Sequence, residues 1–435
     1  MTFCKSAETM IYAYIPGVAA YIGVDAGDTF EYFSYLCETS KIYRTMKYNF
    51  DKIVERRGTS CVKWDALQEH FGRTDLTPLW VADMDFEVCP EITEALRARV
   101  DHRVYGYGCP ADGYWQSIID WQRNMHGFTF SREELCYVPG VVKGIAFALN
   151  YFTDKGDKVV IQEPVYHPFR AVAQGNGRVV VNNALRAANG FYCMDIEGLE
   201  RIFAAEHPRM MILCNPHNPI GITWSRETLV EVASLAKKYG VIVVSDEIHG
   251  DLALFGHEHI PFATVSDEAA EVAVTFGAPS KTFNIPGLVS SWCVVKNPAL
   301  RSGFFGWLAA NEFSDPTFVA TIATETAYKC GSAWLDSCKA YIENNILAVE
   351  EFCAKRLPGV RPVRPQASFL VWLDCSALGM SHDKLIATFV GKAHLALNDG
   401  TIFGTGGENC MRLNVATPRA SLLKALNALE AALNA

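Results

Sequence analysis

The sequence predicts an α/β protein whose mostly parallel sheet is covered by helices on both faces. From about residue 130 onward, short apolar runs alternate with amphipathic helical stretches. The runs are apolar on both faces, which is typical of parallel strands that are buried on both sides. Because ligands bind beyond the carboxyl ends of the strands in such sheets, polar residues at those ends are candidate site residues.

Seven predicted strands build this sheet. They are Leu135–Val138, Lys158–Gln162, Val179–Val181, Met210–Cys214, Val241–Val244, Val272–Phe276 and Trp292–Val295. The first is followed by a Pro139-Gly140 turn and by a predicted helix over Val141–Phe152. Ser225 is a good N-cap for a second helix, Thr228–Tyr239, and Gly240 is a good residue to end it.

The C-terminal part differs in pattern and predicts a smaller α+β domain. Trp334–Leu357 is a long helical run with mixed charges. Phe369–Leu373 and Cys410–Val415 are predicted strands, and the glycine-rich loop Gly404–Gly407 precedes the second of them.

Composition and charge argue against several classes of protein. The 435 residues carry a net charge of -9, which argues against a nucleic-acid partner, because phosphate binding requires clustered Lys and Arg. No apolar run reaches the length of a membrane-spanning helix. The 14 cysteines are scattered without a Cys-x-x-Cys pair, so we expect free thiols in a reducing, cytoplasmic compartment. His257 and His259 flank Glu258, but further ligands are not evident and we predict no metal site.

The first 45 residues differ from the rest. Met10–Val24 is apolar and broken by Pro16-Gly17, which fits the core of a signal peptide. The short segment before it carries Glu8 as well as Lys5 and therefore lacks the positive bias of a signal peptide. We favour a translation start at Met46, with the extension as a poorly packed addition.

An amide, a carboxylate and a lysine follow predicted strands or lie in a polar turn. Asn218 lies between two prolines, Asp246 ends the run Val-Ile-Val-Val-Ser, and Lys281 lies in a segment without other charges. A lysine can form the imine of a pyridine aldehyde cofactor, an aspartate can hold its ring nitrogen protonated, and an amide can hydrogen-bond its phenolic oxygen. Taken singly, each has an ordinary interpretation: a surface lysine, a helix N-cap and an Asn-Pro turn. Together they predict pyridoxal 5'-phosphate (PLP), and the adjacent Glu247 is expected to make structural contacts.

Further residues fit the same ligand. Gly140, Val141 and Val142 lead into a helix whose free N–H groups can bind a phosphate, although many strand–helix turns contain glycine. Tyr166 follows a strand end and can stack on a planar ring, and it can equally be a core residue. Arg412 is a charge inside an apolar strand, and its planar guanidinium suits the α-carboxylate of an amino acid.

From Met46 to near the C-terminus the chain resembles the fold-type I PLP enzymes of the class I/II aminotransferase group. Within them it is most similar to the bacterial C–S lyase, or cystathionine β-lyase, branch. The string Trp80–Phe86 is the most specific part of the resemblance. The other matching segments are Asn49–Asp51, Ser60–Asp65, Tyr105–Tyr107, Ser245–His249, Ser280–Asn284 and Arg412–Asn414.

The resemblance implies a role for each matched residue that faces the cofactor ring. Lys281 forms the Schiff base and moves protons, and Asp246 pairs with the pyridinium nitrogen. Asn218 hydrogen-bonds the phenolic oxygen, and Tyr166 stacks on the ring. His249 belongs to the cofactor-binding set, although a tyrosine is usual at this position in the wider group.

The resemblance also implies contacts for the phosphate and for the substrate. Gly140, Val141, Val142 and Ser280 contact the phosphate, and Tyr107 reaches the phosphate of the partner subunit in a homodimer with shared active sites. Many relatives have a phosphate-binding arginine at the position of Val289. Arg412 holds the substrate carboxylate, and Ala82 belongs to the substrate-binding set.

The implied fold is a fold-type I transferase with a large PLP-binding domain and a smaller C-terminal domain. We expect an N-terminal extension over residues 1–45 and a segment over 46–90 that packs with the small domain. The large domain then covers residues 91–330, and the small domain covers 331–435.

The implied reaction is α,β-elimination on an amino acid that carries sulfur at Cβ. Lys281 takes the Cα proton, a thiolate leaves from Cβ, and the remainder hydrolyses to pyruvate and ammonia. An aminotransferase is the alternative, because it shares every cofactor contact. A regulatory protein that keeps the cofactor fold is a further alternative. The preferred thioether and the pathway are not indicated by the sequence.

Overall fold

A computed structural model describes residues 48–188 and 190–435 of the chain. The predicted extension over residues 1–45 and the predicted start at Met46 lie outside the described residues. Phe50–Ala435 forms one compact unit. Within the described part, no helix combines the length and the apolar character that crossing a membrane requires.

The predicted seven-stranded, mostly parallel sheet is confirmed. From one edge to the other its strands are Leu135–Val138, Ser291–Val294, Ala273–Gly277, Ile242–Asp246, Met210–Cys214, Lys158–Ile161 and Val179–Asn182. Ser291–Val294 runs antiparallel to both neighbours, whereas the other pairs are parallel. The carboxyl ends of the parallel strands therefore lie at the same end of the sheet as the amino end of Ser291–Val294.

The boundaries move by one or two residues from those predicted, for local reasons. The strand Ile242–Asp246 extends past Val244 because Asp246 still pairs with Cys214 in the ladder. The helix Arg226–Tyr239 begins two residues earlier than predicted. It does so because Ser225 caps it by accepting the Thr228 N–H at 3.2 Å.

Helices alternate with the strands along the described part of the chain. The α-helices are Val62–Asp65, Leu67–Phe71, Pro90–Asp101, Asp112–His126, Val141–Phe152, Pro168–Gly175, Ile196–Glu206, Arg226–Tyr239, Asp267–Val272, Pro279–Thr282, Pro298–Ala310, Phe318–Cys330, Ser332–Arg356, His382–Ile386 and Arg419–Asn434. Val141–Phe152 packs closely on the sheet because Gly144 has no side chain. A Cβ there would lie 2.5 Å from the Phe276 ring.

A second, antiparallel sheet forms the core of the C-terminal part. Its strands, in order, are Arg361–Val363, Leu370–Asp374, Cys410–Asn414 and Asn398–Asp399. Thr77–Pro78 pairs with Leu395–Ala396, and Arg186–Ala188 pairs with Phe191–Cys193. The packing expected of residues 46–90 and the division into four parts stay predictions.

Candidate active site

A pocket of about 300 Å³ opens at the edge of the large sheet where the strands end. Most of the predicted site residues line it: Ala82, Gly140, Val141, Val142, Tyr166, Asn218, Asp246, His249, Ser280 and Lys281. Its other lining residues are Pro139, Lys143, Cys214, Ile248, Pro286, Val289, Ser290 and Ser291. The fold therefore brings residues from distant parts of the sequence around one cavity.

Lys281 lies in the short helix Pro279–Thr282, just after the strand Ala273–Gly277. Its Nζ donates a hydrogen bond to the Ala82 carbonyl at 2.6 Å. Burial lowers the pKa of Lys281 to about 8, although the Asp83 carboxylate opposes the shift. A larger fraction of this amine is therefore neutral near pH 7 than of a surface lysine, as a nucleophile or base requires.

Asp246 is the last residue of its strand and is only 4% exposed. Its Oδ1 accepts the Ile248 N–H at 3.1 Å, and no cation among the described residues forms an ion pair with it. Burial raises the pKa of Asp246 to about 7, although the Lys281 charge opposes the shift. A buried carboxylate held in this way is suited to a cation that comes from outside the protein, such as a protonated ring nitrogen.

Arg412 and Asn218 meet at the edge of the pocket. Arg412 does not itself line the cavity, but its Nη1 donates to Asn218 Oδ1 at 3.0 Å. Its Nη2 donates to the Trp80 carbonyl at 3.0 Å and to Asn398 Oδ1 at 2.5 Å. Its Nε is buried without a partner, and burial lowers the pKa of Arg412 to about 10. A charged guanidinium with an unused donor fits an incoming carboxylate.

Two rings line the pocket beside these charges. His249 is buried, and its Nδ1 has no partner. Burial, together with the nearby charges of Lys281 and Arg412, lowers the pKa of His249 to about 3, so its imidazole is neutral. Tyr166 is partly buried, and burial raises the pKa of its hydroxyl. Both rings can therefore offer neutral faces or polar atoms to a planar ligand.

A further set of lining residues is suited to an anion. Gly140 has a φ of 119° and precedes the helix Val141–Phe152, whose first N–H groups have no partner within the helix. Ser280, Ser290, Ser291 and Lys143 line the same cavity. Helix N–H groups, hydroxyls and an ammonium together suit a phosphate.

Lys143, Ser290 and Ser291 are lining residues that the sequence analysis missed. Lys143 had a readable signal, because a cation in the first turn of a helix is unfavourable unless an anion binds there. Ser291 begins the antiparallel strand of the sheet, and Ser290 directly precedes it. Their position at the ligand-binding edge depends on a strand direction that the sequence pattern does not give.

Glu247 makes structural contacts, as predicted. It accepts hydrogen bonds from Ser245 Oγ at 2.9 Å and from the Phe262 N–H at 2.8 Å. The His259 ring lies 3.0 Å from its other carboxylate oxygen. Tyr107, in contrast, is fully exposed and does not line this pocket, so its predicted role across a subunit boundary stays a prediction.

The pocket fits PLP in its donor set. It combines a half-buried amine, an unpaired buried carboxylate, an asparagine amide and an anion-binding helix start. The buried Nδ1 of His249 has no hydrogen-bond partner among the described residues, and a polar ligand in the pocket would supply one. These groups match the aldehyde, ring nitrogen, phenolic oxygen and phosphate of that cofactor.

Comparison with known proteins agrees with this geometry. The chain is 44% identical over 386 residues to cystathionine β-lyase PatB of Bacillus subtilis strain 168, covering 89% of this chain and 100% of that protein. A PLP-bound protein of Clostridium difficile 630, provisionally named an aminotransferase, superposes with a TM-score of 0.87 at 37% identity, covering 89% of this chain and 100% of that one. Cystalysin from Treponema denticola, which contains PLP, gives a TM-score of 0.86 at 32% identity, covering 89% and 99%. The sequence profile described as aminotransferase class I and II matches residues 74–429. The chain therefore belongs to the aminotransferase class I and II family.

Proposed function

We propose that this chain is a PLP-dependent carbon–sulfur β-lyase. It would convert an amino acid with sulfur at Cβ, such as cystathionine or a cysteine S-conjugate, into a thiol, pyruvate and ammonia. The observation that supports this most is the pocket in which Lys281, Asp246 and the Asn218–Arg412 pair meet. The near full-length similarity to PatB favours elimination over amino transfer.

Each residue has a task that its surroundings suit. PLP, when bound, supplies the sink for the electrons left at Cα. Arg412 holds the substrate carboxylate with its unpartnered Nε, and Lys281, whose pKa burial lowers to about 8, takes the Cα proton. Asp246 keeps the ring nitrogen protonated. Asn218 hydrogen-bonds the phenolic oxygen while it also contacts Arg412.

The phosphate is held by the start of the helix Val141–Phe152 and by hydroxyls and one ammonium. Val289 lies at the place where the resemblance leads one to expect an arginine, and it lines the same pocket. Lys143 provides a cation that lines the same cavity. We propose that Lys143 supplies the charge that Val289 lacks.

We also propose a homodimer and a reducing compartment. Tyr107 is fully exposed, and Val104 and Tyr105 near it are 62% and 57% exposed, which supports a surface that a second copy covers. Tyr107 would then reach the phosphate in the partner subunit. Buried cysteines such as Cys214, Cys293 and Cys338 are free thiols, which supports a cytoplasmic location.

The test is product analysis with purified protein loaded with PLP. Cystathionine, cysteine and methionine are supplied separately, and pyruvate and free thiol are measured without any keto acid. We expect pyruvate together with homocysteine from cystathionine, or together with sulfide from cysteine. Strict dependence on an added keto acid would instead support the aminotransferase alternative, which the name of the Clostridium difficile protein favours.

Lys281→Ala tests the assignment of the base. We expect it to lower turnover by about 10⁴-fold, because one residue supplies both the covalent link and the proton transfer. The absorbance band of lysine-linked PLP should disappear as well. Lys384→Ala, at an exposed helix position, is the matched control and should behave like the wild type.

A further inference from the structure

The segment Trp80–Phe86 lies between the two cationic groups of the site. The Trp80 carbonyl accepts a hydrogen bond from Arg412 Nη2 at 3.0 Å. The Ala82 carbonyl, two residues on, accepts one from Lys281 Nζ at 2.6 Å. The backbone between these carbonyls therefore spans the guanidinium and the amine.

Asn284 forms hydrogen bonds with the C-terminal end of this segment. It follows Lys281 by three residues and has a φ of 56°, in the left-handed region. Its Oδ1 accepts the Met84 N–H at 2.9 Å. Its Nδ2 donates to the Met84 carbonyl at 3.1 Å and to the Phe86 carbonyl at 2.8 Å. One side chain thus ties the segment to the turn that carries Lys281.

Asn414 forms hydrogen bonds with the middle of the segment. It follows Arg412 by two residues in the same strand and is fully buried. Its Nδ2 donates to the Val81 and Asp83 carbonyls, each at 2.7 Å, which lie on either side of Ala82. Its Oδ1 accepts the Ala416 N–H at 2.8 Å. The strand that carries Arg412 is thus tied to the same segment.

The acidic side chains of the segment are already paired with cations. Asp83 lies 2.6 Å from Arg56, and Asp85 lies 2.7 Å from Arg56 and 2.9 Å from the buried Lys63. These carboxylates therefore anchor the segment, and their pairing leaves backbone carbonyls as its hydrogen-bonding groups toward Lys281 and Arg412. Arg56 Nη1 also donates to the Met84 carbonyl at 3.1 Å, and Lys63 Nζ donates to the Asp83 carbonyl at 3.3 Å. The two asparagines add the contacts that tie this backbone to the elements that carry Lys281 and Arg412.

We propose that Asn284 and Asn414 are paired positioning residues for the reaction. Together they hold Trp80–Phe86 as a spacer that fixes the distance between the Lys281 amine and the Arg412 guanidinium. That distance sets where Cα of a substrate lies relative to the base once its carboxylate is bound. Neither asparagine lines the pocket, so each acts through the segment. The catalytic role of this segment rests on the proposed function, whereas the hydrogen bonds by which the two asparagines hold it do not.

Two variants with matched controls test the proposal. Asn284→Gly removes the side chain without forcing a Cβ into left-handed backbone, and Asn409→Gly, at a φ of 61°, is its control. Asn414→Ala removes two donations to carbonyls. Asn345→Ala is its control, because the buried Asn345 donates in the same way to the Val415 and Thr417 carbonyls at 2.7 and 2.9 Å.

The first measurement is amide hydrogen exchange of the protein without PLP. We expect faster exchange in a peptide covering residues 80–86 in Asn284→Gly and Asn414→Ala, and wild-type exchange there in both controls. Unchanged exchange in the two variants would overturn the proposal. If Asn414→Ala does not fold, Asn414→Ser, with its smaller polar side chain, replaces it.

The second measurement is kcat for elimination with PLP bound in all proteins. We expect each single variant to lose about tenfold to hundredfold, as small misplacements of reacting groups do. Because both residues act through one segment, the double variant should lose much less than the product of the two single losses. Multiplicative losses, or equal losses in the controls, would contradict a shared spacer. If the wild type shows no elimination, the proposed function fails. The exchange data still decide whether the two asparagines hold the backbone of residues 80–86 in place.

Discussion

Asp246 and Asp251 are buried carboxylates five residues apart that are held in opposite ways. Asp251 accepts hydrogen bonds from Trp121 Nε1 at 2.9 Å and Thr282 Oγ1 at 2.7 Å, and the His126 ring lies 2.7 Å away. Burial alone would raise the pKa of Asp251, but the hydrogen bonds and charge of His126 hold it below its usual value. For Asp246 burial prevails and raises the pKa to about 7.

The difference separates a structural carboxylate from one that is available to a ligand. Where the protein itself supplies the donors, as around Asp251, the charge is stabilised and the group holds elements together. Where the protein supplies few donors, as at Asp246, a buried carboxylate can be stabilised by a cation that a ligand brings. The two groups also lie differently with respect to the site. Asp251 contacts Thr282, the residue after Lys281, whereas Asp246 lines the pocket.

Among the changes that test this comparison, Asp246→Asn has the largest expected effect on activity. An amide cannot hold a ring nitrogen protonated, so we expect kcat for elimination to fall by about 10²–10³-fold. The free energy of unfolding at pH 8 without PLP should stay the same or rise, because an unpaired buried carboxylate is removed. Steady-state kinetics and urea unfolding measure the two quantities. A variant with near wild-type kcat would show that Asp246 is structural after all.

Asp251→Asn should give the reverse pattern. It removes the charge that His126, Trp121 and Thr282 surround, and breaking such a buried arrangement costs about 3 kcal/mol of unfolding free energy. We expect kcat per folded molecule to fall far less than in Asp246→Asn. Urea unfolding at pH 7 and kinetics corrected for the folded fraction measure this. A stable variant with abolished turnover would reverse the roles assigned to the two residues.

The pH dependence of stability without PLP should report Asp246 directly. Its raised pKa means that the folded protein binds this proton when the unfolded chain has already lost it. The stabilisation is therefore complete below about pH 4 and is lost as the pH rises toward about 7. From pH 5.5 to pH 8 the loss should be about 2 kcal/mol.

Comparison with Asp246→Asn isolates that contribution. Burial lowers the pKa of His249 to about 3, so its own contribution has the opposite sign and grows as the pH rises toward 6.5. The Asn variant retains His249 and lacks only the carboxyl. Urea unfolding of both proteins at the two pH values gives the difference, and equal pH profiles would contradict the raised pKa of Asp246.

The large sheet and the pocket's main charges could be predicted because their signals are local. Strands buried on both faces give continuous apolar runs, and the rule that ligands bind beyond strand ends located Asn218, Asp246 and Lys281. Helices such as Phe318–Cys330 were missed, because small Ala and Thr residues give little apolar periodicity. The roles of Tyr107 and His249 came from resemblance alone.

The features of the site that the sequence could not predict depend on contacts between distant segments. Asn284 reaches Met84 across 200 residues, and Asn414 reaches Val81 across 333. Their partners are backbone carbonyls, which every residue has, so no residue type marks them. In the same way, the donors that make Asp251 structural come from two separate helices, Asp112–His126 and Pro279–Thr282, whereas Asp246 and Asp251 look alike in the sequence.

The smallest effect expected is that of Ser245→Ala, which tests how redundant a satisfied carboxylate is. Ser245 Oγ donates to Glu247 at 2.9 Å, and Glu247 keeps the Phe262 N–H and His259 when that hydroxyl is removed. We expect a loss of about 1 kcal/mol in the free energy of unfolding and a kcat within about twofold of wild type. Urea unfolding and steady-state kinetics measure both. A tenfold fall in kcat would mean that the contacts of Glu247 control the neighbouring Asp246, and the separation between structural and ligand-binding carboxylates would then not hold in this loop.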